Sequence, residues 1–153
     1  MLKEFVEKGH YLFVDKVDSW QEAIRLSCKT LEEDNTVDKT YAEEIIRCVE
    51  KYGPYIVLLP NVAMPHSQEG AQGVNKTAIG FMKVEEAVSF DPEDSEKDAK
   101  LFFTLASCDS DQHLANMIKL SEMLLNEELL QGLLEAKTKE DLLMLHEKYL
   151  EEK

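Results

Sequence analysis

Long apolar runs are missing from this chain: none approaches the roughly 18 residues of a membrane-spanning helix. The first residues, MLKEFVEKGH, lack the apolar stretch of a secretory signal. The chain therefore reads as cytoplasmic. Cysteine is scarce. Cys28, Cys48 and Cys108 are odd in number, widely spaced and without a CxxC pair, which excludes a disulfide framework and a structural zinc site. Basic residues are outnumbered, 17 Lys+Arg against 31 Asp+Glu, for a formal net charge of −14. Nucleic acid and anionic membrane both need a positive surface, so neither is an expected partner. Basic proteins remain, since an acidic surface steers them inward. No GxxxxGK[ST], GxGxxG or GxSxG motif occurs, so neither the usual nucleotide cradles nor a serine-hydrolase elbow is indicated.

What is present suits one domain over residues 1–153, with 44% apolar and 31% charged residues. Tyr11–Val14 (YLFV) reads as a short edge strand. Asp18-Ser19 suits a helix N-cap, followed by Trp20, Ala23, Ile24, Cys28 and Leu31 at helical spacing. A second helix is expected from about Asp38 to Lys51, with Tyr41, Ile45, Cys48, Val49 and Tyr52 inward and Gly53-Pro54 as its stop. Tyr55–Leu59 (YIVLL), Thr77–Met82 (TAIGFM) and Leu101–Ala106 (LFFTLA) are continuous apolar runs, expected as strands covered on both faces. Asp91–Asp98 is an acidic loop. A helix then begins near SCDSD with Leu114, Met117, Ile118, Leu124 and Leu125 on one face, and two more follow, split at Lys137-Thr138-Lys139. The expected fold is α/β, a mixed β-sheet flanked by helices on both sides.

Two of the four histidines have unusual neighbours. His66 follows Pro65 in NVAMPHS, and proline forces Met64 extended and forbids a regular helix there. The imidazole is thereby set on a rigid turn beyond a strand. His113, in DQHL, falls in the first turn of a helix that follows another strand, and strand ends are where α/β sites collect. His10 and His146 read as ordinary surface residues. A metal site at His66 and His113, with Cys108 or Asp109 as third ligand, is disfavoured because no HxxxH or HExxH spacing supports it. Cys108 reads as a structural thiol, and Glu43 and Glu44 as solvated carboxylates. A histidine used as nucleophile forms a covalent intermediate and passes it on.

At these residues the sequence resembles the IIA proteins of the bacterial sugar phosphotransferase system, mannitol/fructose type. VAMPHS at 62–67 is similar to the segment around their phosphorylated histidine, and the order of TAIGFM, the acidic loop and LFFTLASCDSDQHL agrees across essentially the whole chain. GPYIV followed by AMPH, with HLANMIKLSEML later, looks most like the ascorbate-type (sugar-acid) subgroup. The resemblance implies a phosphotransferase without cofactor or metal. Phospho-HPr would charge His66, with His113 as second active-site histidine. A cysteine of the IIB component would then receive the phosphoryl group, upstream of a IIC permease. Helix amides near Asp111 are expected to point at the phosphoryl oxygens. Ser67 stands where Gly or Ala is more usual, Leu59 and Asn61 replace small residues, and Glu50 replaces the arginine of the mannitol-type proteins, with Arg47 and Lys51 nearby as substitutes. A second reading is a regulatory IIA-like protein that controls partners by its phosphorylation state; a third is a plain interaction domain.

Overall fold

The structure, a computed structural model, describes residues 1–68 and 72–150. Along these the order is α1 (Leu2–Lys8), β1 (Tyr11–Val14), α2 (Trp20–Glu33), α3 (Lys39–Tyr52), β2 (Val57–Leu59), β3 (Asn61–Ala63), β4 (Ala78–Ser89), a short 3-10 turn (Ser95–Lys97), β5 (Asp98–Ala106), α4 (Ser110–Leu124), α5 (Glu127–Glu135) and α6 (Lys139–Tyr149). The strands form one sheet in the order β1-β4-β5-β3-β2. Pairing is parallel for β1/β4 and β3/β5 and antiparallel for β4/β5 and β2/β3, so the sheet is mixed as expected.

Period-2 alternation splits the central strands between two cores. Met82 and Phe102 pair and face α2 and α3. Their pairing neighbours Phe81 and Phe103 face the opposite way, against Leu2 and Phe5 of α1 and the leucines of α4, α5 and α6. Helices therefore cover both faces, and each fully buried Phe or Leu contributes about 2–3 kcal/mol. Local chemistry sets the ends. Ser19 accepts from Glu22 N at 3.2 Å and Asp38 from Thr40 N at 2.8 Å, while Gly53 at φ 84° stops α3 in a conformation that side chains disfavour.

Several expectations change, and one helix was not expected. The 55–59 run is regular only over Val57–Leu59, and it forms the sheet edge with Leu58 46% exposed. It pairs antiparallel with β3 along one edge only, as the last strand of the sheet. β4 continues to Ser89, past the expected Met82, through a stretch with Glu85, Glu86 and Ala87 exposed and a register irregularity between Lys83 and Val88, so its polar end carries no continuous apolar run. The residues before Gly9 form α1, with Leu2 and Phe5 buried. On α4 the buried residues are Leu120, Met123 and Leu124, while Leu114, Ile118 and Leu125 face outward; Tyr52 on α3 is likewise exposed. Among the described residues no helix is long and apolar enough to cross a membrane.

Candidate functional site

The sheet delivers two segments to one end. Beyond β3, Met64 and Pro65 are buried and remain in the hydrogen-bond ladder: Met64 N donates to Ile56 O at 2.7 Å and Leu105 N to Pro65 O at 2.9 Å. The chain is thus held on both sides up to the residue before His66. Beyond β5, Asp109 caps α4, whose first turn carries His113.

His66 is half-buried, and its Nδ1 lies 2.6 Å from Met64 O. A carbonyl only accepts, so Nδ1 carries the proton and Nε2 keeps its lone pair. The Tyr55 ring stands edge-to-face against the imidazole, with centroids 5.2 Å apart and planes at 88°. The Tyr55 hydroxyl donates to the His66 carbonyl. Burial pulls the His66 pKa below its usual value, the Met64 carbonyl acts against this, and His113 lowers it further. The ring is therefore mostly neutral at neutral pH.

Across from it, His113 shares a cleft of about 430 Å³ with His66. Tyr41 and Ser67 line one side, and Ser107, Cys108, Asp109 and Ser110 the other. The two sequence-predicted histidines are brought together; His10 and His146 lie elsewhere. His10 is a correction, since it is only 3% exposed and its Nε2 sits 2.5 Å from Asp34 Oδ2. His146, half-buried, accepts from Lys3 N at 3.3 Å.

Four further expectations shift. The amides of Asp111 and Gln112 are taken by the Asp109 carboxylate at 3.0 and 3.3 Å rather than aimed into the cleft. Cys108 is exposed on the cleft, near Thr77 Oγ1 at 3.6 Å, so it is no packed structural thiol. Arg47 pairs with Glu44 at 2.7 Å and Lys51 lies over the Tyr52 ring at 5.1 Å; neither lines the cleft. Glu44 is correspondingly half-buried rather than solvated, while Glu43 binds Arg25 at 2.7 Å. Among the described lining residues there is neither Lys nor Arg, and His113 is the imidazole that shares the cleft with His66. Among the described residues no trio of His, Cys, Asp or Glu is gathered to hold a metal ion.

Sequence reasoning overlooked Tyr55 and Tyr41. Tyr41 is buried with its hydroxyl donating to Leu105 O, and burial pushes its pKa far up, so it stays a phenol. The usable signal for Tyr55 was an aromatic directly after the Gly53-Pro54 stop, where the chain turns back toward β3.

A profile of the family "Phosphoenolpyruvate-dependent sugar phosphotransferase system, EIIA 2" matches residues 4–149. The mannitol-specific cryptic phosphotransferase enzyme IIA component of Escherichia coli (strain K12) is 32% identical over 141 residues, 92% of this chain and 94% of that protein. The ascorbate-specific PTS system EIIA component of Shigella flexneri is 31% identical over 98 residues, 64% of this chain and 62% of that protein. Among solved structures, the mannitol-specific cryptic phosphotransferase enzyme IIA from Escherichia coli superposes with TM-score 0.83 at 31% identity, covering 96% of this chain and 98% of that one. The IIAMTL–phosphorylated IIBMTL complex from Escherichia coli gives TM-score 0.76 at 24% identity, covering 91% and 94%, a likeness of fold.

Proposed function

The chain belongs to the EIIA 2 family of the phosphoenolpyruvate-dependent sugar phosphotransferase system and is a phosphotransferase relay component, and from that premise we propose that His66 takes the phosphoryl group from phospho-HPr and passes it to a cysteine of a IIB component. The observation that carries this reading is the bond from His66 Nδ1 to Met64 O. It fixes the tautomer and leaves Nε2 as the nucleophile.

The transfer follows from that geometry. Nε2 attacks phosphorus in line as the N–P bond of the donor phosphohistidine breaks. Nδ1 keeps its proton throughout, so no proton needs to leave the site during capture. Phosphoryl transfer demands positioning and charge neutralisation more than covalent chemistry from the protein. His113 donates a ring N–H to an equatorial oxygen. Onward transfer reverses the arrangement: a thiolate of IIB attacks phosphorus, the S–P bond forms as the Nε2–P bond breaks, and His66 leaves as the neutral imidazole with its proton on Nδ1. No cofactor or metal is needed for either step.

The fold likeness to a IIA that is solved in complex with phosphorylated IIB supports a IIB as acceptor. The IIB component would then pass the phosphoryl group to the sugar carried by a IIC permease, a relay role that fits a cytoplasmic location. GPYIV, AMPH and HLANMIKLSEML favour an ascorbate-like sugar acid as the carbohydrate; a mannitol-type relative aligns over more of the chain. The test is reconstitution with enzyme I, HPr, phosphoenolpyruvate and the IIB and IIC components encoded beside the gene. Label should travel from His66 to the IIB cysteine and then to ascorbate. Label that reaches mannitol instead overturns the sugar assignment, and label that never leaves HPr overturns the relay.

A further inference from the structure

Resting on the reading of His66 as acceptor, we propose that Tyr55 is a positioning residue for the reaction, holding both the backbone and the ring of His66 so that Nε2 is the nitrogen presented. Two independent contacts converge on one histidine. The Tyr55 hydroxyl donates to the His66 carbonyl, which fixes the peptide. The Tyr55 ring closes on the imidazole edge-to-face at 5.2 Å, which restricts its rotation and excludes water from that side. With rotation restricted, the bond from Nδ1 to Met64 O at 2.6 Å persists, and the tautomer with it.

Tyr55 is itself held. It stands on the segment between α3 and β2, beyond the Gly53 stop, and its backbone N donates to Gly53 O at 2.7 Å. Tyr52 packs against it at 6.5 Å with planes at 84°. Burial first, then Cys48, Tyr41 and Glu44 beside it, push its ionisation far above the usual tyrosine range. The hydroxyl therefore remains a donor at any physiological pH. His66 faces His113, Asp109 and Cys108 across the cleft and Tyr41 and Ser67 beside it, and among the described residues Tyr55 is the aromatic ring that packs against the imidazole.

The two contacts are separable by substitution. Tyr55→Phe keeps the ring and removes the hydroxyl; Tyr55→Leu removes both. Long-range ¹⁵N–¹H NMR of histidine-labelled, unphosphorylated protein reads the tautomer and pKa of His66, with circular dichroism confirming the fold. Wild type should show Nδ1–H as the dominant neutral tautomer. Tyr55→Phe should keep a lowered pKa yet accept from phospho-HPr about 2- to 10-fold more slowly, the range of one buried hydrogen bond. Tyr55→Leu should mix the tautomers and move the His66 pKa up toward 6.5. Its phosphorylated form should also hydrolyse faster. A folded Tyr55→Leu protein with the wild-type tautomer, pKa and acceptance rate overturns the proposal. The NMR readouts need no phosphorylation, so they test Tyr55 even if the label were found elsewhere than on His66.

Discussion

Asp109 accepts the backbone N–H groups of Asp111 at 3.0 Å and Gln112 at 3.3 Å, on the rim of the cleft that His66 and His113 share. The carboxylate thus satisfies the start of α4 and at the same time sets a negative charge beside the path proposed for an anionic phosphoryl group. The two effects separate by substitution. Asp109→Ala should cost about 1 kcal/mol of stability through loss of the cap. Asp109→Asn keeps an accepting oxygen, so its thermal midpoint should stay near wild type. Removing the charge should speed acceptance from phospho-HPr about 2- to 10-fold. Slower acceptance by a folded Asp109→Asn protein would show that the carboxylate assists the reaction.

His113 should matter for transfer and little for the fold. Its ring is half-buried at the cleft, and its backbone N–H bonds Asp109 O at 2.9 Å whatever the side chain. Loss of one charge-assisted hydrogen bond is worth roughly 1.5–3 kcal/mol, or about 10- to 100-fold in rate. His113→Ala should therefore slow passage to IIB by that factor while its unfolding midpoint holds. Unchanged delivery in a folded variant removes His113 from the site.

Stability should also register the burial of His66. Its folded pKa lies below the reference of about 6.5, so the unfolded chain binds more protons once pH drops under 6.5. The penalty grows as pH falls from 6.5 and levels off below the folded pKa; above 6.5 it vanishes. His66→Gln should then flatten the pH dependence of the unfolding free energy between about pH 7 and 5 relative to wild type. Urea titrations at several pH values measure it, and parallel curves for the two proteins would contradict the burial argument.

Lys83 offers a test away from the chemistry. It is 1% exposed in β4, and its Nζ donates to Glu85 Oε1 at 2.7 Å and to Ala136 O at 2.6 Å, tying the sheet to the junction of α5 and α6. Lys83→Met preserves volume but leaves the Ala136 carbonyl without its donor, at a cost of about 1–3 kcal/mol. Faster hydrogen exchange should appear first in α5 and α6. Loss of protection spread evenly over the chain would contradict that placement.

Much of this architecture is legible in residue spacing. Asp18-Ser19, Asp38 and the SCDSD segment mark helix starts through their side-chain chemistry, and TAIGFM and LFFTLA lie in the central pair of strands because apolar residues fill both their faces. Periodicity alone misjudged α4. Its apolar residues at 114, 117, 118, 120, 123, 124 and 125 wrap around most of the helix, and which stripe turns inward depends on the α1, α5 and α6 residues it meets. His10 was misread for a similar reason: its partner Asp34 lies at the end of α2, a proximity that only the folded chain creates. At the site, Pro65 announced His66 locally and the helix start announced His113. That both reach one cleft follows from β3 lying beside β5, a pairing no local motif encodes.

The account rests on Nε2 of His66 as the nitrogen that takes the phosphoryl group, and the direct measurement is the site and regiochemistry of labelling. Incubation with enzyme I, HPr and phosphoenolpyruvate, followed by mass spectrometry at neutral-to-basic pH and ³¹P–¹H NMR of the phosphorylated protein, reads both. One phosphoryl group should appear, labile in acid and stable in base, bonded to Nε2 of His66 and absent from His66→Ala. A phosphoryl group on Nδ1, on Cys108 or on a serine, or undiminished labelling of His66→Ala, would contradict the account.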